Sequence, residues 1–182
     1  MITLICGPML SGKTSMMLHL LERAAIAKKK TILIRPTKDT RGFLSHTCKD
    51  ISWTKEIFMT FGSGLYMKDY DILQDYDVIA VDEGQFQENL KQFCTTYRSK
   101  HIIISALHAT SECEMFQPIV DIIPYCENII KLNAICTHCG SENGSYTYYL
   151  KGNKTDKIAV GGQEDYTVLC GQCYNYEMHK MQ

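Results

Sequence analysis

Residues Gly7-Pro8-Met9-Leu10-Ser11-Gly12-Lys13-Thr14 fit G-x-x-x-x-G-K-[ST] at every defined position. An apolar run, Thr3 to Cys6, leads straight into them, and a helical pattern follows, with Met17, Leu18, Leu21 and Ala25 on one stripe. A strand, a glycine loop and a helix in that order make a phosphate cradle. The glycines let backbone N–H groups close around phosphate oxygens, and the helix N-terminus adds donors and a partial positive charge. Lys13 can bridge the outer phosphates of a nucleotide, and the Thr14 hydroxyl can coordinate Mg2+. A plain turn between strand and helix would require neither side chain.

A second apolar run, Val78 to Val81, ends in the carboxylates Asp82-Glu83. In an open parallel sheet the carboxyl ends of the strands deliver the chemistry, beside the phosphate loop. Asp82 is the natural Mg2+ partner there, and Glu83, one residue on, can take the proton of an attacking hydroxyl. Alone, such a pair could be a solvated strand end; its meaning comes from the loop it accompanies.

Further strands are expected at Thr31 to Ile34, His101 to Ser105 and Asn128 to Ile135, rich in Ile and Val without clean alternation and so buried on both faces. Phe86, Leu90, Phe93 and Tyr97 form a second helical stripe. Alternating strands and helices imply a parallel sheet with crossovers. Lys28-Lys29-Lys30 read as lysines closing the first helix against its negative dipole end. After Ile135 the texture changes: two C-x-x-C pairs flank a Thr/Tyr-alternating stretch, Ser145 to Leu150, and a polar, glycine-bearing segment.

Cys136-x-x-Cys139 and Cys170-x-x-Cys173 lie about thirty residues apart, which suits two knuckles completing a tetrahedral thiolate shell around a structural Zn2+. His138 sits inside the first knuckle, but four sulfurs already satisfy zinc. Two disulfides or four buried thiols remain the alternative. The other five of the nine cysteines, Cys6, Cys48, Cys94, Cys113 and Cys126, have no metal spacing. Gly161-Gly162, between the knuckles, allow a tight backbone path whose amides and carbonyls could reach a small ligand, or a simple hairpin connection.

Length and charge narrow the classes. At 182 residues the chain accommodates one substantial core and a small satellite. Hydrophobic residues at 45% and charged residues at 21% indicate a folded globular protein, and a net charge of -1 gives no general attraction to polyanions. The apolar start running directly into the glycine loop leaves no room for a targeting segment, and no apolar run reaches a bilayer span, so a cytoplasmic protein without membrane or nucleic-acid partners is expected.

Taken together, G-P-M-L-S-G-K-T, K-D-T-R at Lys38 to Arg41, D-E-G-Q-F at Asp82 to Phe86, the paired C-x-x-C, and V-G-G with Tyr166 downstream resemble the type II thymidine kinases, in that family's order and over nearly the whole chain. The resemblance implies an α/β fold: a P-loop, RecA-like parallel sheet flanked by helices over residues 1–135, with a small zinc-binding lid over 136–182. It implies transfer of the γ-phosphoryl group of ATP to the 5'-hydroxyl of thymidine, with Glu83 as base. Gly7 to Thr14, Asp39, Arg41, Asp82 and Gln85 would manage ATP and Mg2+. Met9, Phe86, Leu107, Ser111, Phe116, Thr147, Ile158, Val160, Gly161 and Tyr166 would form the nucleoside pocket, with main chain around Lys157 to Gly161 reading the base. It also implies a homotetramer inhibited by thymidine triphosphate, from a viral or bacterial source.

Leu107-His108-Ala109-Thr110-Ser111 departs from the family, which has an acidic or amide residue at position 108 and an aromatic at 111; a serine there would leave one wall of the pocket open. Three other functions share parts of the pattern. A helicase-type ATPase also joins a P-loop to an acidic box but needs a second core domain. A zinc-ribbon nucleic-acid module would be expected to carry more arginine between its knuckles. Another nucleoside or nucleotide kinase is the closest competitor, because P-loop and carboxylates say nothing of the acceptor.

Overall fold

Runs of Ile, Leu and Val with no polar alternation suit a sheet covered on both faces, and all but the run from Asn128, which is mostly exposed at a sheet edge, lie buried in one. A computed structural model describes residues 1–37, 50–59, 67–150 and 165–180. Its main sheet holds β1 (Ile2–Gly7), β2 (Thr31–Arg35), β3 (Lys55–Phe58), β4 (Val78–Val81), β5 (His101–Leu107) and β6 (Asn128–Lys131), in the order β3-β2-β4-β5-β1-β6. All five strand pairings are parallel. The α/β class and parallel sheet expected from the sequence are present. Because β5 separates β1 from β4, the glycine loop and the Asp82-Glu83 pair stand on either side of the tip of β5.

Alternate residues of each strand face opposite layers. Ile5, Leu33, Val78, Ala80 and Ile103 face α1 (Lys13–Ile26) and pack with its Met17, Leu18 and Leu21. Ile2, Leu4, Ile32, Ile34, Ile79 and Val81 face the other way. They pack with Leu90, Phe93 and Cys94 of α2 (Leu90–Thr96), with Tyr97, and with Ile119 and Ile122 of α3 (Gln117–Ile122). Truncating a fully buried leucine in such a layer, Leu21 for example, costs about 2–5 kcal/mol.

Two local expectations need correction. The last strand stops at Lys131, not Ile135: among the described residues it pairs only with β1, which ends at Gly7, and Ile135 is exposed. The helix on the Phe86 stripe begins only at Leu90, and Phe86 belongs to a 3-10 turn, Gly84–Phe86. Lys28 to Lys30 follow the end of α1 at Ile26 as expected of lysines closing it, with the Lys28 and Lys29 N–H groups donating to the Ala25 and Ala24 carbonyls and Lys28 in the left-handed region (φ 60°). Strand β3 was not foreseen; its four residues are only partly buried, as suits a sheet edge, so it carries no long apolar run.

Beyond β6 the chain forms a separate antiparallel pair, β7 (Tyr146–Tyr149) and β8 (Tyr166–Leu169), then α4 (Gly171–Lys180). Cys136, Leu169, Cys170 and Tyr174 are buried together there, apart from the two layers of the main sheet. No helix among the described residues is long and apolar enough to cross a membrane.

Candidate active site and metal centre

The glycine loop turns through two left-handed positions, Leu10 (φ 61°) and Gly12 (φ 79°), the second being the N-cap of α1. Gly7 is required for a different reason: a Cβ there would lie 2.5 Å from the Leu132 carbonyl oxygen and 2.7 Å from Ser11 Oγ. Ser11 Oγ and Lys13 Nζ both donate to the Pro8 carbonyl, at 2.9 and 2.6 Å, so the ammonium is folded across the loop and can exchange that acceptor for a phosphate oxygen.

Asp82 is fully buried, its N–H donating to the Ile34 carbonyl at 2.9 Å. Its Oδ1 accepts the Glu83 N–H at 3.0 Å, and Thr14 Oγ1 donates to its carboxylate, 3.2 Å from Oδ1 and 3.4 Å from Oδ2. A hydroxyl and a carboxylate so placed, next to the phosphate loop, are an oxygen set that suits Mg2+. Glu83 occupies the left-handed region (φ 51°, ψ 45°), which costs a non-glycine residue about 1–2 kcal/mol. The turn it starts aims the Glu83 carboxylate at Gln85, whose Nε2 donates to Oε2 at 2.6 Å. Gln85 Oε1 in turn accepts the Leu107 N–H at 2.9 Å. One buried amide thus holds Glu83 and the tip of β5 in register. Gly84 allows this, since a Cβ would meet Ile104 Cγ2 at 2.6 Å.

Several of the residues expected for a nucleoside pocket are among the described ones. Leu107 ends β5 and packs against the core that buries Phe116, the N-cap of α3. Phe86 is half-buried, on a turn packed against α3 and β5. Thr147, in β7, accepts the Met9 N–H at 3.2 Å, tying the phosphate loop to the small sheet. Tyr166 is buried, with its ring 5.1 Å from Tyr149. Ser111 is 9% exposed, and its carbonyl accepts a hydrogen bond from Tyr174 Oη at 2.9 Å. His108 donates its N–H to the Gly7 carbonyl at 3.4 Å; burial holds its imidazole below the ordinary range, and Lys131 and Lys13 push the same way. Asp39, Arg41, Ile158, Val160 and Gly161 lie outside the described residues, as does Lys157.

The sulfurs of Cys136, Cys139, Cys170 and Cys173 all lie within 4.8 Å of one another, with Cys139 and Cys170 3.7 Å apart. Tetrahedral ligation at about 2.3 Å per Zn–S bond requires sulfurs about 3.8 Å apart, so the cluster fits Zn2+. The first knuckle is built by Gly140 (φ 74°), whose N–H donates to the Cys136 carbonyl. Burial pushes the Cys136 thiol up, but backbone N–H groups of Cys170, Cys139 and His138 outweigh it and bring the group down to about 6, favouring thiolate. His138 stands outside the cluster, its Nδ1 3.9 Å from Glu177. Burial pushes Cys94 and Cys126 up, to about 12 and about 11, as expected of inert thiols.

Comparison with known proteins now decides the family. The family model described as thymidine kinase matches residues 1–174. The chain is 34% identical to "Thymidine kinase" of rabbit fibroma virus (strain Kasza), over 95% of each chain. It is 32% identical to "Thymidine kinase 1" of Dictyostelium discoideum, over 98% of this chain and 79% of that one. It is also 32% identical to "Thymidine kinase" of African swine fever virus (isolate Tick/Malawi/Lil 20-1/1983), over 98% and 94%. This chain belongs to the thymidine kinase family. In this family member, two parts of the site had no sequence signal of their own: the bridging role of Gln85, and Tyr174, which reaches a carbonyl 63 positions away.

Proposed function

We propose that this member of the family transfers the γ-phosphoryl group of ATP to the 5'-hydroxyl of thymidine, giving thymidine monophosphate and ADP. The observation that supports it most is the meeting of Lys13 and Thr14, after β1, with Asp82 and Glu83, after β4, across the tip of β5, with Thr14 bonded to Asp82. The acceptor comes from the thymidine kinases it is similar to. Backbone N–H groups of Gly7 to Gly12 and the N-terminus of α1 hold the phosphates, and Lys13 moves from the Pro8 carbonyl to the outer phosphate oxygens. Thr14 and Asp82 would hold Mg2+, which would supply charge neutralisation at the transferred group. Glu83, oriented by Gln85, takes the proton of the 5'-hydroxyl as its oxygen bonds to phosphorus and the bridging oxygen leaves with ADP.

In this reading Met9, Phe86, Leu107, Ser111, Phe116, Thr147 and Tyr166 enclose the nucleoside. Ile158, Val160 and Gly161 would cover its base, and Asp39 and Arg41 would assist at the phosphates. Zinc on the four cysteines holds residues 136–182 as a lid over a core of residues 1–135. A cytoplasmic homotetramer inhibited by thymidine triphosphate completes the proposal.

The test is a labelled-phosphate transfer panel from ATP to each nucleoside, to nucleoside monophosphates and, for ATP consumption alone, with single-stranded DNA. Transfer to thymidine ahead of every other acceptor is expected. Preference for a monophosphate or DNA-stimulated hydrolysis would overturn the assignment. Adding thymidine triphosphate to the panel, and light scattering on the purified protein, check the inhibition and the assembly; imaging of the tagged protein in cells checks its location.

A further inference from the structure

The segment between β5 and α3 is bonded to itself. Ala109 bridges to Met115, the Thr110 N–H donates to the Glu114 carbonyl at 2.8 Å, and the Cys113 N–H donates to the Thr110 carbonyl at 3.2 Å. Thr110 Oγ1 accepts the N–H groups of Glu112 and Glu114, each at 3.2 Å. Such a loop moves as a body, carrying Ser111 near its start and Phe116 at its end.

A tether reaches this body from the cysteine cluster. Tyr174 follows Cys173 directly, and its own N–H donates to the Cys170 carbonyl at 2.9 Å, so the two cysteines of the second knuckle set its backbone. Its ring cannot swing freely: it stacks on Tyr146 with centroids 4.7 Å apart, and meets Tyr148 edge-on at 6.1 Å. From that seat its hydroxyl donates to the Ser111 carbonyl at 2.9 Å, in a buried bond, and accepts the Cys113 thiol at 3.5 Å. Thr147, between Tyr146 and Tyr148 of β7, points to the other side and accepts from Met9. The cysteine unit therefore grips the phosphate loop through Thr147 of β7 and the Ser111 loop through Tyr174 of α4.

We propose that Tyr174 is a positioning residue: it fixes the loop carrying Ser111 and Phe116 to the cysteine cluster, so that occupancy and geometry of the cluster set how well the nucleoside is held. The pocket role of that loop rests on the thymidine kinase reading above. Losing the hydroxyl leaves the ring stack intact but frees the loop and strips a buried carbonyl of a donor. A loss of that kind changes an equilibrium by roughly tenfold.

The experiment compares native protein and Tyr174→Phe, both carrying zinc. The thymidine KM is expected to rise by about tenfold, with the ATP KM within about twofold and zinc per chain unchanged. An unmoved thymidine KM, or an equal rise for ATP and thymidine, overturns the proposal. If native protein transfers phosphate to some other acceptor, the functional reading has failed, and the same KM comparison with that acceptor tests the tether. Should the variant not fold, or no acceptor be found, amide exchange in native protein decides. Removing zinc with a chelator should accelerate exchange across residues 109–115, and unchanged exchange there overturns the tether.

Discussion

Glu83 and Ser111 show how the surroundings of one residue decide its chemistry. Glu83 sits in a left-handed turn with Gln85 holding its carboxylate, so Glu83→Gln should keep the turn and lose only the base. Turnover is expected to fall roughly a hundredfold or more with ATP binding nearly intact, read by steady-state kinetics and nucleotide titration. Near-normal turnover would remove Glu83 from its role. Ser111 stands where the family resemblance leads one to expect an aromatic, and from the sequence it could be an open wall. At 9% exposure Ser111 has little solvent beside it, so a phenylalanine there would press on its neighbours. Ser111→Phe should therefore weaken thymidine binding, by about 1–3 kcal/mol as overpacking does. A lower thymidine KM in that variant would show that the wall is open after all.

Among the elements, the glycine loop is the least tolerant. Its geometry depends on Gly7 approaching the Leu132 backbone just past β6, where the obstructing atom is the Leu132 carbonyl oxygen and the N–H of the same residue donates to the Cys6 carbonyl at 2.8 Å. Gly7→Ala must displace either β6 or the loop. We expect the ATP KM to rise at least tenfold while the thermal midpoint falls by only a few degrees, about 1–3 kcal/mol of strain. An alanine variant with native ATP affinity would mean that the loop adjusts freely. The loop, the Asp82-Glu83 strand end and both knuckles were legible because each is short, local and chemically unusual. Strand β3 and the true start of α2 were not, because a half-buried edge strand has weak periodicity and a 3-10 turn can continue a helical stripe without being helix.

For the whole molecule, the question is how independent the cysteine unit is of the sheet. The two layers around the main sheet are packed without it, whereas β7, β8 and α4 gather on the cysteines. Cys170→Ser should lose zinc and impair thymidine use more than ATP binding, because the sheet and phosphate loop keep their own core. Metal analysis together with separate KM values for the two substrates checks this. Full zinc retention, or loss of ATP binding in step with thymidine use, would contradict it.

What the sequence determined by itself is the chemistry of contiguous residues: the phosphate loop, the paired carboxylates, the cysteine knuckles, and the buried strands that require a covered parallel sheet. Only the tertiary structure decided which of these meet. Placing β5 between β1 and β4 let one glutamine join Glu83 to the tip of β5. Folding the cysteine unit back brought Thr147 to Met9 across 138 positions and Tyr174 to Ser111 across 63. Contacts at such separations leave no periodicity or spacing in the chain, because they are set by how layers pack and not by any local preference of the residues that make them.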